Sequence, residues 1–218
     1  MKLALLLPGY LESPDYHHLV VIGEKLKSLG YTTIRVDACH LWETRNASLY
    51  TTTNYLHQVE DIIKSFQSQN PTEIILVGHS QGSFVALLAG NNNLNITKII
   101  GLCLPNPLGQ SSHKWVNGVR ISQKDLPNDS TKFREFSIPI SYVHDRDQYS
   151  LMNELKKITQ PLLVIMGQDD PSVSEVEAVV KELNLPNFIK IKNMGHDFRQ
   201  SDELCHQVAN EIAIFLRS

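Results

Sequence analysis

One pentapeptide in this chain has the makings of covalent chemistry: Gly78-His79-Ser80-Gln81-Gly82. A serine with a glycine two residues to either side suits a sharp strand-to-helix turn. Such a turn strains the serine backbone, and the glycines let strand and helix come close. The run before it, Ile74-Ile75-Leu76-Val77, is strongly apolar, and small residues such as Ser83 and Ala86 follow. A hydroxyl at that turn projects at a helix N-terminus, where backbone N–H groups stabilise developing negative charge. Serine alone is a weak nucleophile and needs a base held by an acid. Two later apolar runs end in Gly167-Gln168-Asp169-Asp170-Pro171 and in Asn193-Met194-Gly195-His196-Asp197. These residues predict nucleophilic catalysis, with Ser80 attacking, His196 as base and one acid orienting the imidazole. Neighbours on an extended loop point in different directions, so only one of Asp169 and Asp170 can meet His196.

Groups so far apart along the chain meet only if the elements carrying them lie side by side. Leu3–Leu7, Tyr31–Val36, Glu73–Val77, Lys98–Leu104, Leu162–Met166 and Phe188–Ile191 read as strands. Helical spacing runs through Tyr16–Leu29, Thr53–Phe66, Leu151–Ile158, Val173–Leu183 and Ser201–Leu216, and a further helix holds Phe84–Ala89. Strands alternating with helices imply an α/β fold. The expected sheet is mainly parallel, of about six strands, with helices on both faces and one domain over residues 1–218. In such sheets functional residues gather at the C-terminal ends of strands, which is where Ser80, the two acids and His196 fall. The rhythm breaks at about 105–147, which holds Pro105, Pro107, Pro127 and Pro139. That insertion is long enough for a hairpin and a short helix, and too short for a deep multi-helix lid.

In the order Ser, Asp, His, these residues make the chain resemble the α/β-hydrolase superfamily over almost its full length. Leu7-Pro8-Gly9-Tyr10 is similar to the family's oxyanion loop, with Pro8 where His is common. The pattern G-x-x-D-P-x-V-P is echoed from Gly167 to Ser174, which places the acid at Asp170, and Gly195-His196 matches the terminal Gly-His. The resemblance implies a minimal sheet that starts at the oxyanion-loop strand and lacks the family's first two strands. It also implies a triad of Ser80, Asp170 and His196, with an oxyanion hole from the backbone N–H groups of Tyr10 and Gln81. The insertion is similar to the compact caps of small esterases and cinnamoyl-esterase-like hydrolases. The function implied is cleavage of carboxylic esters of short-chain or small aromatic acyl groups through an acyl-enzyme on Ser80. A thioesterase or small-peptide hydrolase uses the same parts, and a hydrolase-fold protein that only binds a ligand is the rival outside the enzyme class.

Other features narrow the field. The 218 residues are 42% apolar and 20% charged, which excludes a disordered chain. Twenty basic against 23 acidic residues give a net charge of −3, so no nucleic-acid partner is expected; the partner the resemblance implies is a small-molecule ester. There is no P-loop, no G-x-G-x-x-G and no H-E-x-x-H, and no cofactor or metal is expected. Cys39, Cys103 and Cys205 form no C-x-x-C pair. The apolar N-terminal stretch stops at Pro8-Gly9, too short for a signal peptide, and no run suits a membrane span, so the expected location is cytoplasmic. His17 and His18 have no ligand partner at i+4. His40 and Trp42 read as loop packing, His144 to Asp147 as capping and exposed charge, and Cys103 as a small hydrophobe within a strand. Trp115, Phe133, Phe136 and Tyr142 divide between a substrate wall and the core of the insertion.

Overall fold

The computed structural model describes residues 1–107 and 115–217. In chain order its elements are β1 (Lys2–Leu7), α1 (His17–Ser28), β2 (Tyr31–Arg35), α2 (Leu41–Thr44), α3 (Thr52–Ser65), β3 (Glu73–His79), α4 (Gln81–Asn92) and β4 (Lys98–Leu102). Then come β5 (Val119–Leu126), β6 (Asp129–Pro139), α5 (Ser141–Arg146), α6 (Leu151–Lys157), β7 (Leu162–Gly167), α7 (Val173–Glu182), β8 (Asn187–Ile191) and α8 (Asp202–Arg217). Six strands form one parallel sheet in the order β2-β1-β3-β4-β7-β8.

Both faces of this sheet are covered, which is why the inner strands β1, β3 and β7 run almost continuously apolar. Leu3, Leu5, Leu7, Ile74, Leu76, Val164 and Met166 pack on one side with α3, α4, α6 and α7. Ala4, Leu6, Ile75, Val77, Leu163 and Ile165 pack on the other with α1 and α8. Successive side chains of one strand thus serve opposite cores. α4 lies under the sheet's centre and is buried on nearly every side, from Gln81 to Gly90.

Two local outcomes differ from the sequence expectation, and the insertion takes the hairpin form expected of it. β4 ends at Leu102 because Cys103 takes a left-handed φ of 46° and turns the chain, so Cys103 lies just past the strand. Residues 38–44 form short helical turns, held by the Asp37 carboxylate accepting from the N–H groups of Trp42 and Glu43, both at 2.9 Å. Within the insertion, residues 108–114 lie outside the described residues, and β5 and β6 form an antiparallel hairpin. Phe136 and Ile138 turn inward and are buried, while Phe133 and Ile121 face out. Three contacts hold the hairpin down: the Tyr16 hydroxyl donates to Asp125 O (2.9 Å), Arg199 pairs with Asp125 (2.8 Å), and Arg134 donates to Trp42 O (2.7 Å). Among the described residues no helix is long and apolar enough to cross a membrane.

Candidate active site

The sheet brings the sequence candidates to one edge. Tyr10 follows β1, Ser80 follows β3, Asp170 follows β7 and His196 follows β8, all at C-terminal strand ends. β1 and β3 are the neighbours from which the chain winds outward to β2 on one side and β4 on the other, and such a switch point leaves a crevice between the loops.

Ser80 sits at the turn between β3 and α4 with φ 50° and ψ −115°, a conformation that costs a non-glycine residue energy. Its backbone is held by Ser80 N donating to Leu102 O at 2.8 Å. The flanking glycines are required by contact. A Cβ on Gly82 would lie 2.0 Å from Leu7 O, and one on Gly78 would lie 2.3 Å from the Gly82 backbone. The strain therefore follows from how closely β1, β3 and α4 approach.

Three side chains line up through hydrogen bonds. Ser80 Oγ lies 2.9 Å from His196 Nε2, and His196 Nδ1 lies 2.8 Å from Asp170 Oδ2. The other Asp170 oxygen accepts from Ser172 N at 2.8 Å. Burial alone would push the Asp170 carboxyl up, but the hydrogen bonds from His196 and Ser172 outweigh it and leave it below the ordinary range. The His196 side chain is 36% exposed and Asp170 is 2% exposed, so the row runs from solvent into the protein. The loops carrying these two residues touch: Asp169 N donates to Met194 O at 2.9 Å, and a Cβ on Gly167 would strike that same carbonyl. Asp169 itself is exposed.

Two amides on elements beside the serine have no acceptor among the described residues. Gly9 N donates to Glu12 and Leu11 N to the Tyr50 hydroxyl, leaving Tyr10 N between them without an acceptor among the described residues. Gln81 N, at the start of α4, has none either. Tyr50 couples the two places, because its hydroxyl accepts from Leu11 N (2.8 Å) and donates to Gln81 Oε1 (2.9 Å). A cleft of about 720 Å³ opens over Ser80, walled by Tyr10, Phe84, Trp115, Arg120, Tyr142 and Tyr149 among others.

The structure also sorts the lesser candidates. Trp115 and Tyr142 line the cleft, whereas Phe136 is core and Phe133 faces solvent. Trp42 packs against Phe136 (5.5 Å between centroids), and His40 is exposed. Asp145 accepts from Thr53 N and Thr53 Oγ1, capping α3 from the insertion. Cys103 is buried, its Sγ 3.8 Å from Gly195 O.

What sequence reasoning missed is a buried ion pair behind the serine. Glu12 Oε2 accepts from Gly9 N (2.7 Å) and from His79 Nδ1 (2.9 Å), and His79 Nε2 lies 2.9 Å from His196 O. A carboxylate and a carbonyl both only accept, so both ring nitrogens of His79 carry protons and the ring is an imidazolium. Burial opposes either charge, yet each partner's charge wins: His79 is held well above the ordinary histidine value and Glu12 well below the carboxylate range. His18 completes the cluster, its Nε2 3.7 Å from Glu12 and its ring 4.9 Å from that of His79; burial drives its pKa down to about 3. The pair ties the loop after β1 to the backbone of the loop carrying His196. The faint sequence signal was an acid inside the turn after an apolar strand, and a histidine before Ser80 read only as a variable motif position.

Glu12→Gln should therefore lower stability by about 3–5 kcal/mol at neutral pH, because it strands a buried imidazolium. For a chain of this size that is a fall in Tm on the order of 10 °C. The Glu12 contribution is complete above its unfolded value of about 4.3 and is lost as pH falls below it. The raised His79 contributes fully below about 6.5 and loses its share only as pH climbs towards its folded value. Urea unfolding of both proteins across pH 3 to 8 checks this. The gap should be widest between those two values and narrow in acid; a gap independent of pH would show that the pair is not charged.

Comparisons with known proteins agree with this architecture. No curated protein matches the sequence. Among solved structures, DcsB in complex with a substrate analogue is 16% identical with a TM-score of 0.75, covering 99% of this chain and 90% of that one. Est1E of Butyrivibrio proteoclasticus with bound ferulic acid is 18% identical with a TM-score of 0.70, covering 99% and 88%. The thioesterase domain from the curacin biosynthetic pathway is 14% identical with a TM-score of 0.64, covering 99% and 91%. At these identities the likeness is one of fold. The family description Alpha/beta hydrolase family matches residues 4–210. A parallel sheet with a glycine-flanked serine at its central turn, matched over nearly its whole length, belongs to the alpha/beta hydrolase family.

Proposed function

We propose that the protein is a serine hydrolase acting on carboxylic esters of short-chain or small aromatic acyl groups. The observation that carries this reading is the hydrogen-bonded row from Ser80 through His196 to Asp170, with Ser80 open to a cleft. His196 Nε2 takes the proton as Ser80 Oγ attacks the acyl carbon, and Asp170 holds Nδ1–H so that the basic nitrogen faces the serine. The N–H groups of Tyr10 and Gln81 receive the oxyanion, preorganised by the Tyr50 hydroxyl between their neighbours. His196 then returns its proton to the leaving alcohol, and water activated by the same base releases the acid. Thioesters meet the same machinery, a reading favoured by the fold shared with a thioesterase domain.

The hairpin and α5 serve as a small cap. The aromatic side chains the insertion adds to the cleft are Trp115, just before the hairpin, and Tyr142 on α5, enough wall for a short chain or one aromatic ring. Each buried methylene contributes about 0.8 kcal/mol, so activity should rise with acyl length only while apolar wall remains, to an optimum at roughly two to six carbons. The measurement is kcat/KM over p-nitrophenyl esters from acetyl to palmitoyl, below and above micelle formation. A maximum at lauroyl or beyond, or a jump in rate as micelles form, would overturn the short-acyl assignment.

A further inference from the structure

One guanidinium in the cleft has no paired anion among the described residues. Arg120 lies on the inward face of β5, alternating with the exposed Val119 and Ile121, and lines the same cleft as Ser80. Its Nη1 is buried without a hydrogen-bond partner among the described residues, while the Tyr10 and Ser122 hydroxyls lie close enough to pair with each other. These groups are neighbours: burial pushes the Tyr10 hydroxyl up while Ser122 and Arg120 pull against it. Acids on the loop after β1, the hairpin and α5 have partners of their own, Glu12 with His79, Asp125 with Arg199, and Asp145 with Thr53. Asp147 is taken by the other cleft guanidinium, Arg146, whose Nε and Nη2 both donate to Asp147 Oδ1. Residues 108–114 contain no Asp or Glu.

Leaving a charged donor buried without a partner is costly, and a hydrolase gains from that cost only if the substrate relieves it. We propose that Arg120 binds a carboxylate carried by the ester substrate, so that the preferred substrate is a carboxylated ester and not a neutral one. The inference rests on the hydrolase reading of Ser80 and adds the class of its substrate. The planar fork of Arg120, with the Tyr10 hydroxyl in the same cleft, is a donor set a carboxylate takes. The wall of Trp115 and Tyr142 then holds the few carbons between carboxylate and ester.

Two matched substrate pairs test this, each corrected for spontaneous hydrolysis. On the acyl side, mono-4-nitrophenyl adipate is compared with 4-nitrophenyl hexanoate; on the alcohol side, 4-acetoxybenzoate with its methyl ester. The wild type should favour the carboxylate member of one pair in kcat/KM by about tenfold or more, the scale of a charge-assisted hydrogen bond. Which pair responds tells which portion lies under the hairpin. Arg120→Gln should bring that ratio to about one, a comparison insensitive to any general loss of activity. Arg120→Lys should keep only part of it, since an ammonium lacks the fork. A wild-type ratio at or below one in both pairs, or a preference that survives in Arg120→Gln, overturns the proposal while leaving the Ser80 chemistry standing. If no ester is turned over, the hydrolase reading fails instead, and adipate binding decides the carboxylate site alone. Adipate should raise the Tm of the wild type but not of Arg120→Gln, and no shift in the wild type overturns it.

Discussion

Ser80→Ala should lower kcat on a p-nitrophenyl ester by about 10⁴-fold or more and abolish covalent labelling by a fluorophosphonate. The side-chain hydroxyl makes its hydrogen bond to His196 Nε2 and none to the core. Removing it therefore takes away the nucleophile without opening a cavity. Alanine still carries a Cβ at φ 50°, so the strain of the turn is neither relieved nor increased, and Tm should change little. The amides of Tyr10 and Gln81 stay in place and would still polarise a bound carbonyl, which leaves a small residual rate over water. Intact-protein mass spectrometry after fluorophosphonate treatment separates the outcomes. An adduct on another residue, or an active wild type that forms none, would sink the mechanism.

The sheet and the row of three side chains were legible for the same reason: both are written in local patterns. Ile74-Ile75-Leu76-Val77 announces a strand buried on both faces, and the burial of Ile74 and Leu76 in one core and Ile75 and Val77 in the other bears that out. Strand, turn glycine, serine, turn glycine and helix follow one another between Ile74 and Ala89, so no long-range knowledge was needed to read them. The hairpin was fainter. Glu135-Phe136-Ser137-Ile138 alternates as an antiparallel strand should, but β5 opposite it carries Arg120, Ser122 and Lys124 on its inward side. An inward polar face does not look like a strand facing a core; it makes sense only once a cleft lies beneath it. Glu12 and His79 escaped for a different reason. They are 67 residues apart and meet only because β1 and β3 are neighbours, a contact that no periodicity encodes. Tyr50 was likewise just an aromatic in a loop until its hydroxyl was seen to bridge Leu11 N and Gln81 Oε1.

Asp170→Asn should cost about 10⁴-fold in kcat, whereas Asp169→Asn should change it little, although the two acids are adjacent. The backbone separates their tasks. Asp170 is buried, with one oxygen on His196 Nδ1 and the other on Ser172 N. Asp169 offers its N–H to Met194 O and turns its side chain to solvent. In the Asp170 variant Oδ1 can still accept from Ser172 N, which directs the new amide NH₂ at His196. A donor there demands that Nδ1 accept, so the imidazole proton moves to Nε2 and points at Ser80, and the base has no lone pair for the serine proton. The loss should thus fall on kcat while the loop keeps its shape, and activity should partly recover at high pH, where hydroxide or serine alkoxide bypasses the base. Asp169→Asn leaves both the tautomer and the Met194 contact intact, since that contact is made by the main chain. Parallel kcat measurements on the two variants decide between them: a crippled Asp169→Asn beside an active Asp170→Asn would mean that the loop after β7 presents the other carboxylate to His196.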